Sequence, residues 1–328
     1  MNLKNWLIKL VKDYKLEKEI KNIIKVLDLK CRVNNFTDLH LNRKSDWMMI
    51  STFKLSEDFV RKFKNYICWT TYTKNPNITI DIIREFKDYI DWYTMSKYVK
   101  LSEEFIREFK GYVSWQVISS DQKLSEDFLN DFINLLSIYN IIKFQKLSPE
   151  FIRQNKDKFA IYDWKMICVY QKLSEKFIEE HKFYINWGLI CKYQKLSPEF
   201  IEKHNLQNTI DDLKHKNTLY WSTEEKEKLI PSIYERDGDY VIGYKGIRSD
   251  RYSAYNFQYK YEVGQTYECH GDCNIGQVNS FGLSVWTEEK AKDYCGELVI
   301  KVKFHIDDLC AVVHNGNKIR VSKFIVLS

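Results

Sequence analysis

The chain has 328 residues, of which 44% are hydrophobic and 15% aromatic, enough apolar material to pack two or three cores. It contains no run of 18 apolar residues and its first 20 residues are broken by charge every few positions, which argues against a membrane span and a secretory leader. The net charge is only +6, and eight cysteines (31, 68, 168, 191, 269, 273, 295 and 310) are scattered through the chain; a soluble cytoplasmic protein with reduced thiols is expected rather than a disulfide framework or a strongly basic nucleic-acid binder.

Residues 1–50 open with an apolar stripe, Leu3, Trp6, Leu7, Leu10, Val11 and Tyr14, set against Lys4, Lys9, Lys12 and Lys15. This is the pattern of an amphipathic helix, expected to cap whatever follows.

From residue 51 to 218 the chain repeats itself. Leu-Ser pairs begin at Leu55, Leu101, Leu124, Leu147, Leu173 and Leu196, with a degenerate copy at Ile78-Thr79, in steps of 23, 23, 23, 23, 26 and 23 residues. A period this constant predicts a solenoid of short helical repeats, each burying its apolar face on its neighbours. In the unit "LSEEFIREFKGYVSWQVISSDQK" the Ser is placed as an N-cap, the following acids suit the positive helix end, and Pro149 and Pro198 fit the first helical turn. Phe59, Phe105, Phe128, Phe151, Phe177 and Phe200 share one core column. Trp47, Trp69, Trp92, Trp115, Trp164 and Trp187 share another, with Ile138 substituting once. Asp91, Ser114, Asp163 or Asn186 stands directly before a Trp and is expected to open a second short helix. Cys168 and Cys191 occupy one slot in adjacent units, as small core residues.

A further column, Lys100, Lys123, Lys146, Lys172 and Lys195, with Lys54 before it, would line one edge of the stack and offer a surface to an acidic protein partner. Glu57, Glu103, Glu126 and Glu175 lie three residues further on and are expected to neutralise it locally. Nucleic-acid binding would call for Arg, aromatics beside the cations and a larger positive excess, and is not expected. Within the heptad "QKLSPEF", Gln194 and Lys195 are the two letters left without a structural task, hence the ones available for recognition.

The composition then changes. Residues 1–218 carry eight more basic than acidic groups and two glycines, Gly111 and Gly188. Residues 219–328 carry 14 basic against 16 acidic groups and nine glycines. A small α+β domain is expected over 219–328, with four to six strands and one helix: "LVIKVKF" and "IRVSKFIVL" alternate as strands, and "TEEKAKDY" has a Thr cap followed by acids. The cluster Cys269, His270, Asp272 and Cys273, with Cys295, His305, Cys310 and His314 downstream, lacks the two clean Cys pairs of a structural zinc site, so no metal is assigned. No phosphate loop or hydrolase motif is present, and no catalytic residue or cofactor is assigned.

"YKG" at 244–246, "FQYKYEVGQTYE" at 257–268, a Gly-Leu segment, a short helix and two closing strands together resemble an uncharacterised domain of tailed phages and large DNA viruses, whose members read YKGF, FQYEVGKTY and GFHxC. The likeness covers about the last 90 residues and departs at Ser284, where those members often carry His. The repeats likewise resemble short Leu-Ser repeats of giant viruses. Together these imply a viral repeat protein acting as an interaction scaffold, with a C-terminal binding module.

The order of elements in the module is also similar to that of ADP-ribosyltransferases. That likeness implies a nucleotide pocket of the NAD or ADP-ribose kind, lined by Tyr244, Lys245, Ser284 and Arg320. It lacks the late-strand Glu of that class, since no acid follows Asp308.

Overall fold

The computed structural model describes residues 18–23, 25 and 44–328. The stripe from Leu3 to Tyr14, its lysines and Cys31 lie outside the described residues. The chain divides into two compact units, residues 1–114 and 115–328.

In the first unit, short helices follow one another at Lys44–Ile50, Glu57–Phe63, Trp69–Tyr72, Ile80–Glu85, Trp92–Tyr98 and Glu103–Glu108. Ser56, Thr79 and Ser102 cap them as the sequence predicts, accepting from the backbone N–H three residues on. Each such cap contributes about 1 kcal/mol. Asp91 caps the Trp92 helix in the same way. The core is built from Trp47, Ile50, Phe59, Val60, Phe63 and Ile82. Arg61 reaches Glu85 at 2.8 Å, and Arg84 reaches Glu108 at 2.6 Å, each tying one unit of the repeat to the next.

The same grammar continues in the second unit from Trp115–Asp121 to Gln207–Lys214. Ser125, Ser148, Ser174 and Ser197 cap in turn, with Pro149 and Pro198 in the first turn of their helices. The one 26-residue step is taken up by a 3-10 turn, Lys156–Lys158, and a longer helix, Ile161–Tyr170. That helix starts before Asp163, so Asp163 does not open it; instead its carboxylate accepts from the Ala160 N–H at 2.9 Å.

Three of the four glutamates expected to neutralise the lysine column, Glu57, Glu126 and Glu175, hold the next repeat instead, Glu57 by accepting from the Thr79 hydroxyl. Glu126 accepts from both N–H and Oγ of Ser148, and Glu175 from both groups of Ser197. A carboxylate at the start of one helix thus holds the start of the next repeat's helix. Gln194 is likewise no free surface residue. It is 2% exposed, donates to the carbonyls of Cys168 and Gln171, and accepts from Leu173 N–H. Gln145 and Gln171 make equivalent bonds. The backbone at these glutamines is extended, so Gln and Leu point inward while the intervening Lys points out.

After Thr223–Glu227 the chain turns to strands. Eight form one antiparallel sheet: β1 Glu235–Asp237, β2 Tyr240–Ile247, β3 Thr266–Glu268, β4 Leu283–Trp286, β5 Leu298–His305, β6 Leu309–Val313, β7 Lys318–Val321 and β8 Lys323–Val326. Their order is β3-β8-β5-β2-β4-β7-β6, with β1 also paired to β2. This exceeds the four to six strands expected, because β1 and β3 are only three residues long and because "IRVSKFIVL" is two strands. Ser322 breaks it by bonding back to Asp308 through N–H and hydroxyl.

The expected helix lies at Glu288–Tyr294, although the Thr287 hydroxyl makes no capping bond. It packs on β2 where a Cβ at Gly246 would collide with the Ala291 carbonyl, which explains the glycine of "YKG". Ile300, Val302 and Phe304 of β5 enter a core with Val241, Val285 and Ile319. Among the described residues no helix is long and apolar enough to cross a membrane.

Candidate ligand cleft

A cleft of about 300 Å3 opens within the second unit between the helical segments and the sheet. Lys143, Lys146, Tyr170 and Lys172 form the helical wall. Lys245 of β2 and Ser284 of β4 lie opposite, with Tyr259 and Tyr261 from the loop before β3. The lysines reach it through the alternation described above: Gln145 and Gln171 are clamped inward, so Lys146 and Lys172 face out at the mouth.

One carboxylate lines the cleft, that of Glu268 at the end of β3. It pairs with Lys172 at 2.8 Å, and that hydrogen bond holds its pKa below the ordinary value. The ring of His270 lies against Phe281, with centroids 5.5 Å apart, and its Nε2 is buried without a partner. Burial, with Lys172 nearby, lowers its pKa to about 4, so the imidazole is neutral at physiological pH. Burial pushes the Cys269 thiol up to about 12, which makes it a poor nucleophile. Aromatic faces complete the lining: Tyr170 and Phe281 are 4.8 Å apart, and Tyr259 and Tyr261 stack at 6.1 Å and 15°.

Two of the four pocket residues read from the sequence come together here. The Lys245 ammonium donates to the Ser284 carbonyl at 3.3 Å. Tyr244 does not join them, because successive strand residues face opposite sides of a sheet; it pairs in register with Trp286 and Lys301. Arg320 is also elsewhere. It is 1% exposed and donates to the carbonyls of Asp272 and Gln277, at 2.7 and 2.5 Å, so it fastens the loop before β4.

Of the lysine column, Lys146 and Lys172 line the cleft, whereas Lys123 and Lys195 are exposed without lining it. Lys100 belongs to the first unit. Sequence reasoning missed Lys143, Tyr170 and Tyr259 as lining residues. It weighed Cys269 and His270 only as part of a cluster to which it assigned no metal; both line the cleft. Cys273 and Cys310, from the same group, are buried in the core, where their thiols donate to the Gly271 and Asp308 carbonyls. Among the described residues, no group of three or more His, Cys, Asp or Glu is placed to hold a metal ion.

No known protein family, curated protein or solved structure matches the chain.

Proposed function

We propose that this is a binding protein in which a solenoid of 23-residue helical repeats and a C-terminal sheet module together form a site for an anionic ligand with a flat ring, of the nucleotide class. The observation that carries this is the lining of the cleft: Lys143, Lys146, Lys172 and Lys245 converge against a single carboxylate between tyrosine and phenylalanine faces. Lysines at a mouth attract phosphate as point charges, and aromatic faces accept a base by stacking. The reading is of binding and not of glycosyl transfer. The closing strands β6 to β8 carry no acid, and Arg320 is occupied by backbone carbonyls. The likeness of residues 244–267 to a viral domain supports a viral source and a host-cell cytoplasmic setting.

A thermal-shift and calorimetric screen of the full chain against ADP, NAD and ADP-ribose tests this. At a ligand concentration 100-fold above Kd, binding adds about 2.7 kcal/mol of stability. The double variant Lys146→Glu/Lys172→Glu should lose most of the gain. A flat response to every nucleotide would sink the reading.

A second reading, a scaffold for a protein partner, is favoured by a separate feature of the repeats. Ile161 and Phe183 are 82% and 90% exposed, and Tyr162 and Tyr184 flank them. Large apolar side chains left exposed in adjacent repeats suit a protein interface. Changing Ile161 and Phe183 to Asp should abolish capture of such a partner without altering the melting temperature; capture that survives the change would count against an interface at this patch.

A further inference from the structure

Lys245 is set apart from the other cleft lysines by its surroundings. It is 8% exposed, and its ammonium makes one hydrogen bond, to the Ser284 carbonyl, while lying 5.4 Å from the Tyr261 ring centroid and 6.0 Å from that of Phe324. Among the described residues no carboxylate lies within ion-pair distance of it. The titratable groups around it are the Cys269 thiol just after β3 and Tyr261, with Tyr259, Glu268 and His270 lining the same cleft; Lys318 of β7, in register with Trp286, stands on the other face of the sheet. Burial is the main cause that lowers its pKa from 10.5 to about 8; Cys269 opposes it, and Lys318 adds to it by less than Cys269 takes away. At pH 7 about one molecule in ten would then carry the free amine, against about one in three thousand for an ordinary lysine.

A desolvated amine that lines a cleft is the arrangement that makes lysine a nucleophile toward carbonyl groups. We propose that Lys245 forms a Schiff base with an aldehyde or ketone ligand whose anionic group is held by the lysines of the helical wall. The Nζ lone pair attacks the carbonyl carbon and the C–O π bond opens to a carbinolamine. Both amine hydrogens then leave with the oxygen as water while the C=N bond forms. The sum is amine plus carbonyl giving imine plus water, with no redox partner. The anionic character of the ligand rests on the reading of the cleft given above; the reactivity of the amine does not.

The probes are pyridoxal 5′-phosphate and pyridoxal, each incubated with the full chain and trapped with cyanoborohydride, the modified lysines being located by peptide mass spectrometry. Lys245 should be labelled about tenfold or more faster than the exposed Lys323, with a rate that climbs around pH 8 and not near 10.5. The phosphate-bearing probe should be the faster, and Lys245→Met should remove the label.

Equal labelling of Lys245 by both probes sustains the amine and overturns the anionic part of the proposal, along with the reading of the cleft. Nucleotide binding in calorimetry, with Lys245 labelled no faster than Lys323, leaves the cleft reading standing and overturns the Schiff base. The wild-type comparison decides the matter even if Lys245→Met fails to fold.

Discussion

Gln194 shows how much a single amide can organise. Its Nε2 offers two hydrogens to two carbonyls, at 2.8 and 2.9 Å, and its Oε1 receives the Leu173 N–H at 2.9 Å. Truncation to Ala would leave three buried backbone groups without partners. Each costs about 1–3 kcal/mol, partly relieved by any water that enters, so Gln194→Ala should lower the unfolding free energy by about 3 kcal/mol or more. Gln194→Glu should cost more still, because a carboxylate has no hydrogen to give either carbonyl. Urea titrations of the full chain measure both. A loss below about 0.5 kcal/mol for the Ala variant, the range of ordinary surface changes, would show that the clamp is dispensable.

At the scale of elements, what could be read from the letters was whatever depends on neighbours in the chain. Helix starts at Ser56, Ser102, Ser125, Ser148, Ser174 and Ser197 follow from local capping chemistry, and the Phe column follows from helical spacing. The errors arose where a side chain answers to a residue one repeat away. Glu126 and Glu175 looked like partners for the lysine three residues before them, yet each bonds a serine 22 residues ahead, a relation that local spacing does not display. In the module, Lys245 and Ser284 were named for the pocket only through the likeness to ADP-ribosyltransferases; what brings them together is the pairing of β2 with β4, which the letters do not display, and Tyr244 stands one step of the pleat away. Arg320 carried no local sign of burial, since the carbonyls that occupy it come from residues more than 40 positions earlier.

At the scale of the whole molecule, the composition shift near residue 219 marks where helix gives way to strand, but not where one compact unit ends. Residues 115–218 are bonded to the sheet module by short polar links. The Thr218 hydroxyl donates to the Cys310 carbonyl at 2.6 Å and Phe257 N–H to Asp121 at 2.8 Å. Gln258 donates to Gln122 at 2.9 Å, and Lys172 pairs with Glu268. Buried backbone carbonyls satisfied from across such a joint lose those partners when either side opens, so the two sides should open together. Hydrogen exchange of the full chain in rising denaturant measures this. Peptides covering 138–173 and those covering β5 and β8 should lose protection at the same denaturant concentration. Sheet amides that stay protected after residues 138–173 have exchanged would show two separate cooperative units, and the cleft between them would then open by local unfolding of its helical wall.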